Sequence, residues 1–250
     1  MTKLQTLEDK QQAEINFWRD NPQVSPGSNS IVNIANKMSD AGIFIECLQA
    51  HKKLLKPQGV VMELGCGQGW AACVYQRMFP ASAVIATDIS TYAIASVEKW
   101  ERMLGVKLKK AYAAKSYATA EADNSIDMVF AIKSVHHFVK QQETLTEIYR
   151  ILKPGGIAFY FYEPVTPKFL YPLAYNRVKK KRSDVAENVL IGKDILKIAK
   201  ELGLIARMQY FPTIKKRGPL QTIYYAILGK IPALQKILPT TANFIFIKPK

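Results

Sequence analysis

Cysteine and histidine are scarce in this 250-residue chain, with three of each. Cys47, Cys66 and Cys73 show no metal-ligand spacing, and an odd count speaks against a disulfide framework. A reducing, cytoplasmic setting is the expectation that follows. No apolar run reaches the roughly 20 residues that a membrane-spanning helix needs. Met1 to Glu14 is polar and mixed in charge, unlike a signal or transit peptide. Internal repeats and low-complexity tracts are lacking as well. Acidic residues are too few to balance the basic ones, leaving a net charge of +15. That surplus favours polyanions in general, whether nucleic acid, glycan or anionic lipid, and does not choose among them.

What is present is a large apolar share, 48% of residues, enough for one sizeable core. Residues 7–20 read as a helix carrying Phe17 and Trp18, followed by a stretch of turn formers from Asn21 to Asn29. Residues 31–55 read as helical, with a break expected near Ser39 to Gly42. From Val60 strands and helices alternate. Strands are expected at 60–64, 83–87, 106–113, 126–131 and 157–162, with helices at 70–79, 91–104 and 142–152. Lys153-Pro154-Gly155-Gly156 is expected to break the chain before the fifth strand. A helix at 193–202 and strands at 204–211 and 243–247 complete the pattern, which calls for an α/β fold with a mainly parallel sheet covered on both faces. The organisation expected is one domain over 1–250. It has an N-terminal helical cap (1–57), a core (58–163) and two lid-like insertions (164–192 and 212–240).

The first strand ends at Glu63-Leu64-Gly65-Cys66-Gly67-Gln68-Gly69. Alternate glycines allow a tight turn and a close approach of backbone N–H groups to a ligand. The helix that follows adds its unpaired N–H groups and dipole. Two features narrow the reading. A dinucleotide fingerprint would need glycine where Trp70 stands. Asp88, about 20 residues beyond the loop, can accept from ribose hydroxyls. A sugar-bearing ligand without a pyrophosphate fits both.

Residues 60–163 resemble the core of class I S-adenosylmethionine-dependent methyltransferases, in particular the broad type-11 small-molecule group. The resemblance is carried by Val61 to Gly69, Ala86-Thr87-Asp88-Ile89-Ser90, Ser125 to Phe130, Val135-His136-His137-Phe138 and Glu147 to Gly156, in the same order and spacing. It implies a Rossmann-like seven-stranded sheet, order 3-2-1-4-5-7-6, with the last strand antiparallel. It also implies S-adenosylmethionine as cofactor. A metal-assisted mechanism would want clustered acidic ligands, of which the sequence shows no convincing set, so no metal is expected. The loop Gly65, Cys66, Gly67 and Gly69 would then hold the methionine portion, Asp88 the ribose, and Ile89 the adenine flank. Backbone near Ile132 and Lys133 would touch the methionine end, with Glu63 orienting the loop or the amino group. Where the family often places an acid against the adenine amino group, this chain has Lys115, which cannot accept a hydrogen bond. Ser116, Glu121 or backbone carbonyls are the substitutes.

Candidate bases are His137 and His136, just past strand four, with Glu163 read as a cap on the turn that follows it. The tetrapeptide Ala131-Ile132-Lys133-Ser134 is unlike that of amino-methylating nucleic-acid enzymes, and no cysteine sits where cytosine C5 methylation needs one. The expected reaction is methyl transfer to oxygen or nitrogen of a small-molecule, glycan or lipid-linked acceptor. Phe169 to Tyr175 beside Lys179-Lys180-Lys181-Arg182, and Ile223 to Leu228 beside Lys215-Lys216-Arg217, suit an anionic membrane surface touched peripherally. The Trp18 helix is expected to close over the same pocket. Competing readings are an RNA methyltransferase, favoured only by charge, and a non-catalytic module, favoured by Lys115.

Overall fold

The computed structural model describes residues 6–181 and 187–250. Arg182, the end of the first basic run, lies outside them. Helix α1, Leu7–Asp20, starts at a reciprocal cap in which Thr6 and Asp9 each satisfy the other's backbone N–H. Helix α2, Ile31–Ala50, is capped by Ser30. It runs unbroken through Ser39 to Gly42, so the expected break is absent. The reason is tertiary: Ala41, Ile43 and Phe44 are buried against the sheet, and Asp40 is held by two lysines.

Strand β1 (Val60–Leu64), α3 (Trp70–Met78) and β2 (Ala83–Asp88) follow. The helix expected over 91–104 is two, α4 (Thr91–Ile94) and α5 (Val97–Leu104). Next come β3 (Lys110–Ala113, shorter than expected), β4 (Ile126–Ile132), α6 (Gln141–Ile151) and β5 (Leu152–Thr166). The Lys153–Gly156 segment does not end the strand. Ile126 pairs with Leu152 and Met128 with Ile157, so these residues form a bulge inside β5. Gly155 adopts φ 75° there, and its N–H donates to the Lys248 carbonyl. The chain is completed by α7 (Tyr171–Lys181), β6 (Leu190–Ile191), α8 (Gly192–Glu201), β7 (Ile205–Tyr210), α9 (Pro219–Lys230) and β8 (Thr240–Ile247).

The sheet order is β3-β2-β1-β4-β5-β8-β7, with β8 antiparallel to both neighbours. This is the expected topology with one addition, the two-residue β6 paired to the end of β5. Both faces are covered, so β5 reads as a continuous apolar run whose side chains alternate. Phe159 and Phe161 join a core under α2 and α3, while Ala158 and Tyr160 join one under α6 and α8. Parallel strands bring the ends of β1, β2 and β4 to one edge. The site lies along it, as expected for the carboxyl ends of parallel strands.

Phe44 docks α2 on the sheet, stacked on Phe130 at 5.2 Å and edge-on to Trp70 at 6.1 Å and Phe161 at 5.9 Å. Phe44→Ala is expected to cost about 3–5 kcal/mol by urea unfolding. A loss below about 1 kcal/mol would mean that α2 is not part of the cooperative core.

Candidate active site

Gly65, Gly67 and Gly69 have φ of 65°, 53° and 79°, a region that L side chains rarely adopt. Their hydrogens are also needed for space. A Cβ on Gly67 would stand 2.9 Å from the Trp18 ring, and one on Gly65 2.8 Å from Phe138. At Gly69 it would meet Val97 at 2.8 Å, which places the start of α5 against the loop.

Two buried carboxylates hold this turn. Glu63 accepts from the Ala72 N–H at 2.7 Å, tying the end of β1 to the first turn of α3. Burial pushes its carboxyl well above the usual range, against the Ala72 bond and helped by Asp88. Asp88 accepts from the Gly67 N–H at 2.8 Å and the Ser90 N–H at 2.9 Å. Burial pushes it up to about 6, opposed by those amide bonds. The carboxylate expected to hold the ribose therefore also fixes the loop. One further lone pair on each oxygen remains.

A cavity of about 850 Å³ opens beside these groups. Of the predicted site residues, Glu63, Gly65, Cys66, Gly67, Asp88, Ile89, Lys115, Ser116, Ile132, Lys133, His136 and His137 line it; Gly69 does not. Helix α1 forms one wall through Gln11, Glu14, Phe17 and Trp18, as the sequence led us to expect. Gln11 Nε2 donates to the Tyr117 hydroxyl at 2.8 Å, and Asn33 Nδ2 to Gln68 Oε1 at 2.9 Å, pinning both N-terminal helices to the core. Asn33, Lys37 and Asp40 were not foreseen, and the sequence shows Lys216 and Phe138 only within a basic run and a motif, not as lining residues. Only the turn-like run Ser39 to Gly42 hinted at Asp40.

At the end of β4 the chain turns through Lys133, whose φ is 51°. The Lys133 side chain pairs with Asp40 at 2.7 Å. Fully buried Glu163 is not a cap on its own following turn. It accepts from the Ser134, Val135 and His136 N–H groups at 2.9, 3.0 and 3.3 Å, and its Oε2 lies 2.8 Å from His136 Nδ1. A carboxylate there requires the proton on Nδ1 and leaves Nε2 as the acceptor nitrogen of neutral His136. His137 Nδ1 lies 3.6 Å from Glu14 of α1. His136, His137 and Glu187 bring one ligand-type atom each within 4.8 Å of one another. The sequence did not show this grouping, because Glu187 is remote along the chain.

Ser116 bonds the Thr144 hydroxyl at 2.8 Å, and Lys115 lies 5.9 Å from the Tyr117 ring centroid. Glu121 does not take the place of the missing acid: it binds Tyr112 and Lys110, both at 2.7 Å, and is not a lining residue.

Residues 62–160 match a family described as a methyltransferase domain. That segment, about two fifths of the chain, and the sheet order are both similar to those of class I S-adenosylmethionine-dependent methyltransferases. The sterol 24-C-methyltransferase of Eremothecium gossypii is 27% identical over 150 residues, covering 60% of this chain and 38% of that protein. The corresponding protein of Saccharomyces cerevisiae is 29% identical over 115 residues, covering 46% and 30%. The chain thus matches well under half the length of these relatives. Among solved structures, geranyl diphosphate C-methyltransferase from Streptomyces coelicolor superposes with a TM-score of 0.70 at 13% identity, covering 96% of this chain and 98% of that one. At that identity the likeness shows the fold alone. A cyclase, SpnF, shares the fold with a TM-score of 0.62 at 17% identity, covering 86% of this chain and 81% of that one. Fold by itself therefore does not name the reaction.

The residues fit an adenosyl cofactor: the positive-φ glycine turn presents Gly65 and Gly67 to the cavity, and Asp88 keeps accepting capacity beside it. Because folding raises Asp88 from 3.8 to about 6, the folded chain holds that proton more tightly. Asp88's contribution to stability is full below about pH 4 and is lost by about pH 6, on the order of 3 kcal/mol. Subtracting the pH–stability curve of Asp88→Asn from that of the wild type should show this fall. A flat difference would mean that the carboxylate is not buried.

Proposed function

We propose that the protein transfers the methyl group of S-adenosylmethionine to a carbon atom of a small, lipid-like acceptor. The observation that carries the proposal is the cavity itself. It gathers the glycine loop, Asp88 and the His136–Glu163 pair along one sheet edge, beneath the helix that bears Trp18. In this reading the Asp88 oxygens accept the ribose hydroxyls, Ile89 flanks the adenine, and Lys115 and Ser116 line that end. Backbone at Gly65, Gly67, Ile132 and Lys133 meets the methionine portion. Glu63 orients the loop through Ala72, while Cys66 and Gly69 shape it.

The cofactor supplies a methyl group on a cationic sulfonium. The chain's own task is alignment, exclusion of water and acceptance of a proton. An alkene carbon can attack without prior ionisation, but the product must then lose a proton, and His136 Nε2 is the base that Glu163 prepares. Phe17 and Trp18 rings on the wall tolerate transient positive charge there. The sterol C-methyltransferase relatives support carbon over the oxygen or nitrogen expected from sequence. Product analysis by NMR separates these, since the chemical shift of the new methyl distinguishes attachment to carbon from attachment to oxygen or nitrogen.

Incubation with labelled S-adenosylmethionine and a panel of isoprenoids and sterols tests the reading. Glu163→Gln is expected to lower kcat about 100-fold while S-adenosylhomocysteine affinity stays within about threefold. Wild-type protein that binds S-adenosylhomocysteine and methylates no lipid would sink it. Ionised Asp88 accepts from ribose hydroxyls more strongly than its protonated form, so affinity should fall as pH drops through about 6, a dependence that Asp88→Asn removes.

A second observation bears on where the acceptor comes from. Helix α9 exposes Leu220, Ile223 and Ile227 on one stripe, next to Lys215 and Arg217, and among the described residues no helix is long and apolar enough to cross a membrane. We propose peripheral contact with an anionic bilayer through this face. Sedimentation with phosphatidylserine vesicles should retain the wild type, and Leu220→Asp with Ile223→Asp should release it. Equal retention of wild type and variant would sink the contact.

A further inference from the structure

A group of charges on the same cavity wall takes no part in the scheme above. Lys37 comes from α2, Lys133 from the end of β4 and Lys216 from the segment before α9, and all three line the cavity. One carboxylate, Asp40, stands among them. It accepts from Lys133 Nζ at 2.7 Å and Lys216 Nζ at 2.9 Å, and Lys216 also donates to the Asn36 carbonyl at 3.0 Å. The Lys37 side chain, one helical turn before Asp40, makes no ion pair or hydrogen bond among the described residues. Its ammonium lies 6.0 Å from the Trp70 ring centroid.

Three ammonium groups thus face one carboxylate, and among the described residues the other acids nearby are engaged elsewhere or only weakly opposed to the surplus. Glu46 pairs with Lys215 at 2.6 Å. Glu63 is driven toward its neutral form by burial. Asp88 is held by backbone amides, and Glu14 and Glu187 stand with the histidines. Arg217 adds further positive charge, though its guanidinium is engaged with Tyr162 and Tyr225. Burial pushes the Lys37 ammonium down to about 8, with Lys133 and Lys216 acting in the same direction and Asp40 opposing them. Tying the segment before α9 to α2 requires only Lys216 and Asp40. Holding Lys37 and Lys133 beside them costs free energy that an anion in the cavity returns. Lys133 also keeps a left-handed backbone conformation at the same place, its N–H bonded to the Phe161 carbonyl at 3.1 Å.

We propose that Lys37, Lys133 and Lys216 form an anion subsite and that the acceptor carries a phosphate or carboxylate group seated in it. The inference rests on reading the cavity as the methyl-transfer site, and it narrows the lipid-like acceptor to an amphiphile with an anionic head. Ammonium groups bind as point charges and make no bidentate demand, so they serve phosphate and carboxylate alike.

Calorimetric titration of the full chain, saturated with S-adenosylhomocysteine, with decyl phosphate, decanoate and decanol tests this. Decyl phosphate or decanoate should bind at least about tenfold more tightly than decanol. Lys37→Met and Lys216→Met should each remove most of that preference, with S-adenosylhomocysteine affinity within about threefold of wild type, and Lys216→Arg should restore it. Asp40→Asn should strengthen anion binding severalfold, since the competing carboxylate is gone; thermal unfolding confirms that each variant is folded. Equal affinity for decanol and decyl phosphate overturns the proposal. So does loss of S-adenosylhomocysteine affinity in Lys37→Met and Lys216→Met, which would assign the lysines to the cofactor's own carboxylate. The same titration without S-adenosylhomocysteine separates the two readings. Wild type that binds decyl phosphate through these lysines but binds no S-adenosylhomocysteine would sink the methyl-transfer reading and the acceptor assignment with it, leaving only an anion site.

Discussion

The hydrogen bond from the Gly67 N–H to the buried Asp88 carboxylate is the contact on which the site depends. It closes the turn after β1 onto the end of β2 and so sets where the backbone of the glycine loop points. Ionised carboxylates are costly to bury, and amide donors recover part of that cost. The same device recurs along the edge. Glu63 holds the first turn of α3, and Glu163 holds the turn after β4. Acidic side chains from three different strands each fix a neighbouring loop through backbone N–H groups. The edge is therefore shaped before any ligand arrives, as positioning catalysis requires.

Trp18 shows how the outer layer depends on that inner one. Its ring occupies the space that a side chain at position 67 would fill, so α1 can settle only because the loop is glycine and is turned by Asp88. Gln11 and Asn33 then fasten α1 and α2 through single bonds to Tyr117 and Gln68. Helix α2 is further held by its buried Ile43, Phe44, Cys47 and Leu48, whereas α1 buries only Gln11 and Trp18. Helix α1 is therefore the element best suited to open and admit ligands.

The sheet and the loop were legible in sequence because their signals are local or periodic. The strand–glycine–helix turn, Asp88 at the end of β2 and the alternation of apolar runs all lie within short windows. What was missed depends on distance along the chain. Asp40 meets Lys133, 93 positions away, and Lys216, 176 positions away. No window contains both partners, so Ser39 to Gly42 looked like a break when it is the buried, charge-paired middle of α2. Pairing with the C-terminal stretch likewise turned Lys153–Gly156 from a chain break into a bulge. Glu163 could be placed on the ligand edge from its position in β5, but its role as an anchor for His136 requires knowing which strand lies beside it.

Charge is sorted along the cavity wall, and the sorting bears on which atom of an acceptor reacts. Lys37, Lys133 and Lys216 form one group around Asp40, while Glu14 and Glu187 stand with His136 and His137 in another. On the proposed reading, an amphiphile with an anionic head would meet the densest positive charge at the first group, and that end would set its direction in the cavity. In the proposed reaction, transient positive charge on the acceptor carbon would be favoured near the second group, beside Glu14, Glu187 and the histidines. Anchoring the head at one group would then set which carbon along the chain reaches the other. On that proposal, regiochemistry would follow from the separation of two charge clusters, and homologous acceptors differing in chain length would present different carbons to the proposed base.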